Sequence, residues 1–482
     1  MKSLCSRYSK LIFFIAAIMF STMAYAQNAN DALRLGTDGL GSSARALGMG
    51  NSYIGLSDDA GAAFFNPAGW GLLKRLEFTG GISYDTYGNN TTFLNQYSDY
   101  SNSATRLSNL SFALPFPTMR GSLVFAVSYH TTKDFTGAMK FNGYNGGNTS
   151  MIQDLNSNTN IPYDLYLTDT SFNTPFNGHL NQSGSILQSG SLHNWTFSGA
   201  IEAYKNLFLG LNLNFISGTY ENNNDYYEDD LKGYYAGIET DPGNNLTKGF
   251  QTFYLNRVLN WDITGWDVKF GMLYQIQNTA RIGVTLQFPK TYTVKETFTV
   301  NGSSTFNTGQ VYNLNSSNYS DNVQYDIVTP FELGAGFSVN IASLILSGQA
   351  TIIDYSQLKF DNPDGLSTEY VATQNKNIKD ELRSVINYNV GAEYTIPIVG
   401  LRLRAGYFVQ PSAYQSDAST SVYDKKYITG GIGYLADETI GIDLGYAHGW
   451  WSDYGDNYGT NVSRTLQDIK DDHVILSMTY RF

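Results

Sequence analysis

Apolar residues recur at every second position in segment after segment of this 482-residue chain. Such alternation sets one face of an extended strand against an apolar medium and the other against a polar one. It is clearest in the closing HVILSMTYRF, where Val474, Leu476, Met478, Tyr480 and Phe482 share one face and His473, Ile475, Ser477, Thr479 and Arg481 the other. The same pattern runs through 76–84, 107–116, 121–130, 194–204, 206–218, 253–275, 280–290, 327–340, 342–356, 386–396, 400–409, 426–436, 438–450 and 472–482, fourteen segments in all. The gaps between them alternate in kind. Those at 117–120, 205, 276–279, 341, 397–399 and 437 are tight turns, whereas 131–193, 219–252, 291–326 and 357–385 are long and rich in Asn, Ser, Gly, Tyr and Asp. Tight turns on one side and long loops on the other, joining an even number of strands, is the arrangement of a bacterial outer-membrane barrel with its long loops outside the cell. Backbone groups facing lipid must all be paired, which a closed sheet achieves. The pattern therefore predicts an all-β fold, a transmembrane antiparallel β-barrel of 14 strands over residues 76–482.

Strand parity also sorts the charges. Leu401, Leu403, Ala405, Tyr407 and Val409 face lipid, so Arg402 and Arg404 face the lumen, as do Glu332, Glu393, Asp443, Asp267, Lys269 and Arg281. Charges of both signs in a lumen can pair, anchor an inner segment, or guide a polar ligand group. Arg402 and Arg404 are accordingly pocket candidates.

Both ends of the chain agree with a barrel. Lys2, Arg7 and Lys10 precede the apolar run Leu11–Phe20 and the small-x-small triplet Ala24-Tyr25-Ala26. This predicts a secretory signal peptide over 1–26, too short in its apolar part to span a bilayer. The only cysteine, Cys5, lies within it, so disulfides, thiolate metal sites and cysteine nucleophiles are excluded after cleavage. Three of the 30 basic residues leave with the signal and none of the 42 acidic ones, so no basic surface for nucleic acid is expected. The mean hydropathy is −0.26 despite 36 Tyr and 28 Phe, as expected when only alternate strand residues meet lipid.

Residues 27–75 carry no strand pattern, yet hold too much Leu, Ala, Met and Phe for a solvated tail. They predict an N-terminal hatch, or plug, in the lumen. The phosphate-loop alternative fails on spacing, because Gly48-x-Gly50 has Tyr53 where the third glycine belongs and no Lys-Ser/Thr follows. Pro67 keeps Asn66 out of helical geometry, and Asn66 can bond nearby backbone, so Asn66, Pro67 and Ala68 form a fixed corner. Ser57, Asp58 and Asp59 suggest the start of a short helix through Phe65. Asp58-Asp59 as a metal site is a weak alternative, and no cofactor is indicated.

The stretch GSSARALGMGNSYIGLSDDAGAAFFNPAG, with GWDVKFGMLYQIQNTARIGVTLQF, TPFELGAGFSVNIASLILSGQATIIDYSQL and NYNVGAEYTIPIVGLRLRAGYFVQPSAY in the same order, resembles the FadL/TodX family of outer-membrane transporters for long-chain fatty acids and aromatic hydrocarbons. The resemblance implies a fourteen-strand barrel with an N-terminal hatch, passing hydrophobic small molecules passively and without a cofactor. It implies an extracellular apolar groove, a pocket in the barrel, and hatch movement that opens the path. Asn66, Pro67 and Ala68 match its hatch triplet and would gate; Phe64 and Phe65 would contact ligand near the pocket. Ile161, Tyr163, Leu165, Tyr166, Leu167, Phe172 and Phe176, in the loop 131–193, are the candidates for the groove. The resemblance also implies a third strand kinked to open the wall towards outer-membrane lipid, although GSLVFAVSYH has no internal Gly or Pro to mark a kink.

Three rivals remain. Related barrels serve protein secretion in the type IX system, where long apolar loops would dock a secreted-protein partner. A rim hydrolase could use His448 near Trp450, Asp453 and Asp456, but no Gly-x-Ser-x-Gly elbow or metal-binding His pair accompanies it. An open porin would leave residues 27–75 without a role. The acidic DYYEDD at 225–230 lacks calcium-loop spacing and reads as a solvated face.

Overall fold

The computed structural model describes residues 28–437 and 439–482; the signal segment 1–26 and Gln27 lie outside the described residues. The alternating segments form one antiparallel barrel of fourteen strands. These are β1 (Glu77–Phe93), β2 (Gln96–Phe116), β3 (Leu123–Asp134, continuing as Gly137–Asn145), β4 (Leu180–Tyr204), β5 (Leu207–Asp229), β6 (Phe250–Ile276), β7 (Ala280–Gln287 and Thr291–Phe306) and β8 (Asp321–Val328 and Glu332–Ile341). There follow β9 (Leu344–Asp354 and Lys359–Asp364), β10 (Ser384–Ile396), β11 (Leu401–Gln410), β12 (Lys425–Ala436), β13 (Ile440–Asp456) and β14 (Arg464–Arg481). β14 pairs with β1 from Arg481↔Glu77 upward, which closes the sheet and leaves no free edge.

The tight turns stand where alternation places them. The long loops are shorter than expected, because strands run on through them. β5 extends to Asp229 and β6 begins at Phe250, so 219–229 and 250–252 are ladder and the loop between them is cut to 230–249. β1 and β2 meet in a hairpin turned by Leu94 and Asn95, both at positive φ. Outside the membrane both faces of a strand are polar, so the period vanishes while the hydrogen bonds continue.

Lipid-facing residues follow parity: Leu211, Leu213 and Phe215 on β5 and Phe270, Met272 and Tyr274 on β6 are exposed. Tyr129 and Trp195 adjoin with ring centroids 5.3 Å apart, aromatic residues of the kind that flank the apolar band of such barrels. Between barrel and solvent sits an extracellular cap built on α3 (Met151–Asn158) and α4 (Ile161–Asp164). Residues 28–73 occupy the lumen. α1 (Ala29–Gly36), opened by an Asn28/Asp31 capping box, packs beneath the loop helix α5 (Thr368–Glu381), and α2 (Ala44–Gly48) lies against β12 and β13. The helix expected from Ser57 through Phe65 is a single 3-10 turn, Ala60–Ala63, capped by Asp59. A second, Pro67–Leu72, is capped by Asn66, with Pro67 in its first turn, where a missing N–H costs nothing.

Candidate functional site: a plugged chamber in the barrel

The hatch is held by slots in the wall. Inward-facing glycines sit opposite one another in register on neighbouring strands: Gly210↔Gly271, Gly283↔Gly336, Gly391↔Gly406 and Gly431↔Gly445. Hatch backbone fills each pair. A Cβ on Gly210 would come 2.3 Å from the Pro67 carbonyl carbon, on Gly283 2.2 Å from Ile54 O, on Gly391 2.1 Å from Met49 O, and on Gly445 2.3 Å from Ala44 O. Only glycine allows backbone to approach a strand this closely.

Asn66 is fully buried in this arrangement. Its Nδ2 donates to Ile54 O (2.9 Å) and Met272 O (3.2 Å), and its Oδ1 accepts from Ala68 N (3.1 Å). It thereby ties two hatch segments to β6. Wall amides complete the seating: Gln349 Oε1 accepts from Tyr53 N and Ile54 N at 2.9 and 3.0 Å, and Asn389 Nδ2 donates to Gly50 O at 2.9 Å.

A buried ion network adds to this. Arg45 of the hatch donates to both oxygens of Glu393 at 2.9 Å and to Asp58 at 2.6 Å. Arg404, fully buried, donates to the same Glu393 at 2.7 Å and pairs with Asp443 at 2.7 Å. Arg281 reaches Asp58 at 2.8 Å. Burial pushes the Asp58 carboxyl up, but Arg45 and Arg281 outweigh it and hold Asp58 well below the usual carboxylate range. Burial also raises the Asp59 carboxyl. Arg404 thus anchors the hatch and does not line the chamber. Arg402, half-buried one inward position below it, does not line the chamber either.

Above the hatch lies a chamber of about 640 Å³. Phe64 and Phe65 form part of its floor, edge to face with centroids 4.9 Å apart. Two walls contrast. On β3–β6 the chamber meets Lys133, Arg257 and Lys269; on β11–β14 and β1 it meets Phe408, Tyr427, Trp451 and Tyr87.

The groove candidates divide. Ile161, Leu165, Leu167 and Phe176 are buried in the cap's own core with Phe250, Phe253 and Phe306. Tyr163, Tyr166 and Phe172 are exposed, with Tyr163 stacked on Phe172 at 4.7 Å. None of the seven lines the chamber. Their apolar character comes chiefly from folding the cap.

The third strand is interrupted although its first segment, Leu123–Asp134, lacks Gly and Pro. Its ladder to β2 ends at Asn109↔His130, its register to β4 slips between Thr131 and Lys133, and the strand breaks at Phe135-Thr136. Above that point side chains replace the ladder. Arg106 pairs with Asp134 and donates to Gly190 O at 2.9 Å, while Asn102 Nδ2 donates to Gln188 O at 3.1 Å. The break faces the chamber, which Lys133, Asp134, Phe135 and Thr136 help to line.

A closed barrel with a seated plug below a chamber is the architecture of an outer-membrane channel. In sequence the chain belongs to the outer membrane protein transport protein family (OMPP1/FadL/TodX), whose model matches residues 22–482. Among solved structures it is similar to the Pseudomonas putida toluene transporter TodX, at 14% identity and TM-score 0.55 over 92% of this chain and 99% of that one. It is also similar to a Pseudomonas aeruginosa FadL homologue, at 12% identity and TM-score 0.55 over 90% and 98%, and to the CymD monoaromatic hydrocarbon channel, at 12% and 0.52 over 92% and 98%. Identities this low establish the shared fold alone. No curated protein sequence matches the chain.

The glycine pairs are the functional feature that strand parity could have exposed and hydropathy hides. Each is a glycine on the inward face of an otherwise regular strand, as in Gly271 of FGMLYQ and Gly406 of RAGYFV.

Proposed function

We propose that this protein is a passive outer-membrane channel for hydrophobic small molecules, such as long-chain fatty acids or aromatic hydrocarbons, with residues 27–75 acting as a movable hatch. The observation that carries this reading is the chamber itself, lined by the barrel strands and floored by Phe64 and Phe65. Asn66, Pro67 and Ala68 would serve as the hinge, since the Asn66 side chain alone holds three backbone groups of two hatch segments and β6. Tyr163, Tyr166 and Phe172 would offer an arriving ligand exposed aromatic surface. Relatives that are toluene and monoaromatic hydrocarbon channels favour this reading over an open porin, a rim enzyme or a docking barrel for secreted proteins.

The test is to extract the purified native barrel with organic solvent and identify bound molecules by mass spectrometry. A hydrophobe near one per chain, reduced in Phe65→Ala and absent from a control barrel, is the expected result. An empty barrel that instead brings down one secreted protein would overturn the channel reading.

A further inference from the structure

We infer that the chamber wall formed by β11–β14 and β1 is a subsite for an organic ammonium group, so that amine-bearing hydrophobes are preferred passengers. This rests on the channel reading above and narrows its ligand class.

The wall is a continuous aromatic row. Phe408 stacks on Tyr427 at 4.5 Å, Tyr427 adjoins Trp451 at 6.3 Å, and Trp451 adjoins Tyr87 at 6.2 Å. Ring faces attract cations, most strongly at indole. One cation is already there: the Lys425 ammonium lies 4.8 Å from the Trp451 ring centroid. Among the described residues Lys425 makes no hydrogen bond or ion pair, and it is exposed to the lumen. It is a tethered occupant on a flexible stem, able to withdraw.

The surrounding charge also favours a further cation. Five carboxylates line this wall: Asp85, Asp417, Asp453, Asp456 and Asp471. Asp456 is paired with Arg464, while Asp85 is hydrogen-bonded to His473 and Asp417 to the Ser412 and Ser416 hydroxyls. Asp453 accepts only the Tyr454 N–H at 2.8 Å, and Asp471 only the Tyr427 hydroxyl at 3.2 Å. Like Asp417, neither has an ion-pair partner among the described residues, so three carboxylates share a wall with one lysine. Aromatic faces with sparse carboxylates suit a weakly hydrated ammonium better than a metal ion, which needs several oxygen ligands converging on one point.

The experiment measures binding of benzyltrimethylammonium, benzyl alcohol and benzoate to the full barrel in a neutral detergent by calorimetry. The expected result is that the ammonium probe binds about tenfold tighter than the alcohol. Trp451→Leu should abolish that preference while keeping alcohol binding, and Lys425→Met, which removes the tethered competitor without touching the rings, should increase it. Equal binding of all three probes, or preference for benzoate, overturns the ammonium subsite and leaves the channel standing. Failure of every probe to bind the wild-type barrel counts against the chamber as a ligand site and overturns both.

Discussion

The lumen wall meets the hatch in two different ways. From β5 to β13 hatch backbone lies directly on wall backbone, in slots made by paired glycines. Along β2–β4 the hatch presents Ala62, Ala63, Trp70 and Leu73 to Ala113, Val124, Ala126 and Ala200, a contact made largely of side chains with no paired glycine slot; its one direct backbone bond there among the described residues is Gly39 N to Thr132 O at 3.2 Å. Backbone in a glycine slot has no rotamer with which to adjust, so it is either seated or out. Side chains over a methyl-lined surface can slide at small cost. The slotted region also holds the ion network, whereas the other side adjoins the interrupted third strand. The lumen therefore has a keyed half and a yielding half, and four changes separate them.

The largest effect is expected from Glu393→Gln. Arg45 and Arg404 both donate to this carboxylate, and removing one member of a buried ion network leaves charge uncompensated, at about 3–5 kcal/mol. Limited proteolysis of the folded barrel should then cut within residues 28–75. A hatch still protected at wild-type levels would mean that the glycine slots suffice without the network.

Next is Gly271→Val. A Cβ there would stand 2.1 Å from Asn66 Oδ1 and 2.8 Å from Pro67 Cδ, so the corner must leave its slot at roughly 1–3 kcal/mol. Gly430→Ala is the control, because its Cβ meets nothing nearer than Arg404 O at 3.9 Å. Denaturation midpoints should separate the two variants. Equal midpoints would show that the slots are not keyed.

How far these regions were legible follows from their physics. The membrane belt was readable because lipid imposes one polarity on alternate residues, as along Leu211, Leu213 and Phe215. The strand extensions were not, because water on both sides removes that signal: the Thr- and Asn-rich β1–β2 hairpin still pairs through Phe93↔Gln96. The hatch corner Asn66-Pro67-Ala68 was legible from local chemistry. Its receptor was not, since the slots arise from register between strands far apart in sequence, such as Gly391 and Gly406 against Met49 and Gly50. The inward direction of Arg404 was readable by parity, but its partners Glu393 and Asp443 come from other strands. The loop residues divide for a related reason. Burial of Ile161, Leu165 and Phe176 inside the cap cannot be distinguished in one dimension from exposure in a groove.

A smaller effect concerns pH. Asp58 is held below its ordinary range, so its contribution to seating the hatch is present above about pH 4 and lost only as pH falls through the lower folded value. Protease protection of the hatch should stay level from pH 8 to 4 and decline in stronger acid. Asp58→Asn at neutral pH should reproduce part of that decline. Protection that instead falls between pH 7 and 5 would place control elsewhere.

The smallest effect on stability belongs to the yielding half. Arg106 and Asp134 are a single, mostly buried pair outside the hatch network, so Arg106→Ala should cost about 1–2 kcal/mol. Its consequence should be local, because the side chain bridges a stretch where β2 and β3 share no backbone bonds above Asn109↔His130. Cys5 is the only cysteine, so Cys5→Ser combined with Thr136→Cys gives the barrel a single thiol beside the break. In Arg106→Ala that thiol should react faster with a lipid-soluble maleimide, while its reaction with a charged reagent from the extracellular side changes little. Equal rates for the lipid-soluble reagent with and without Arg106 would mean that the wall is closed there by packing, and the yielding half would then be no gate. A faster rate with unchanged protease protection of the hatch would separate the two halves cleanly, one governing whether the hatch is seated and the other whether the wall parts.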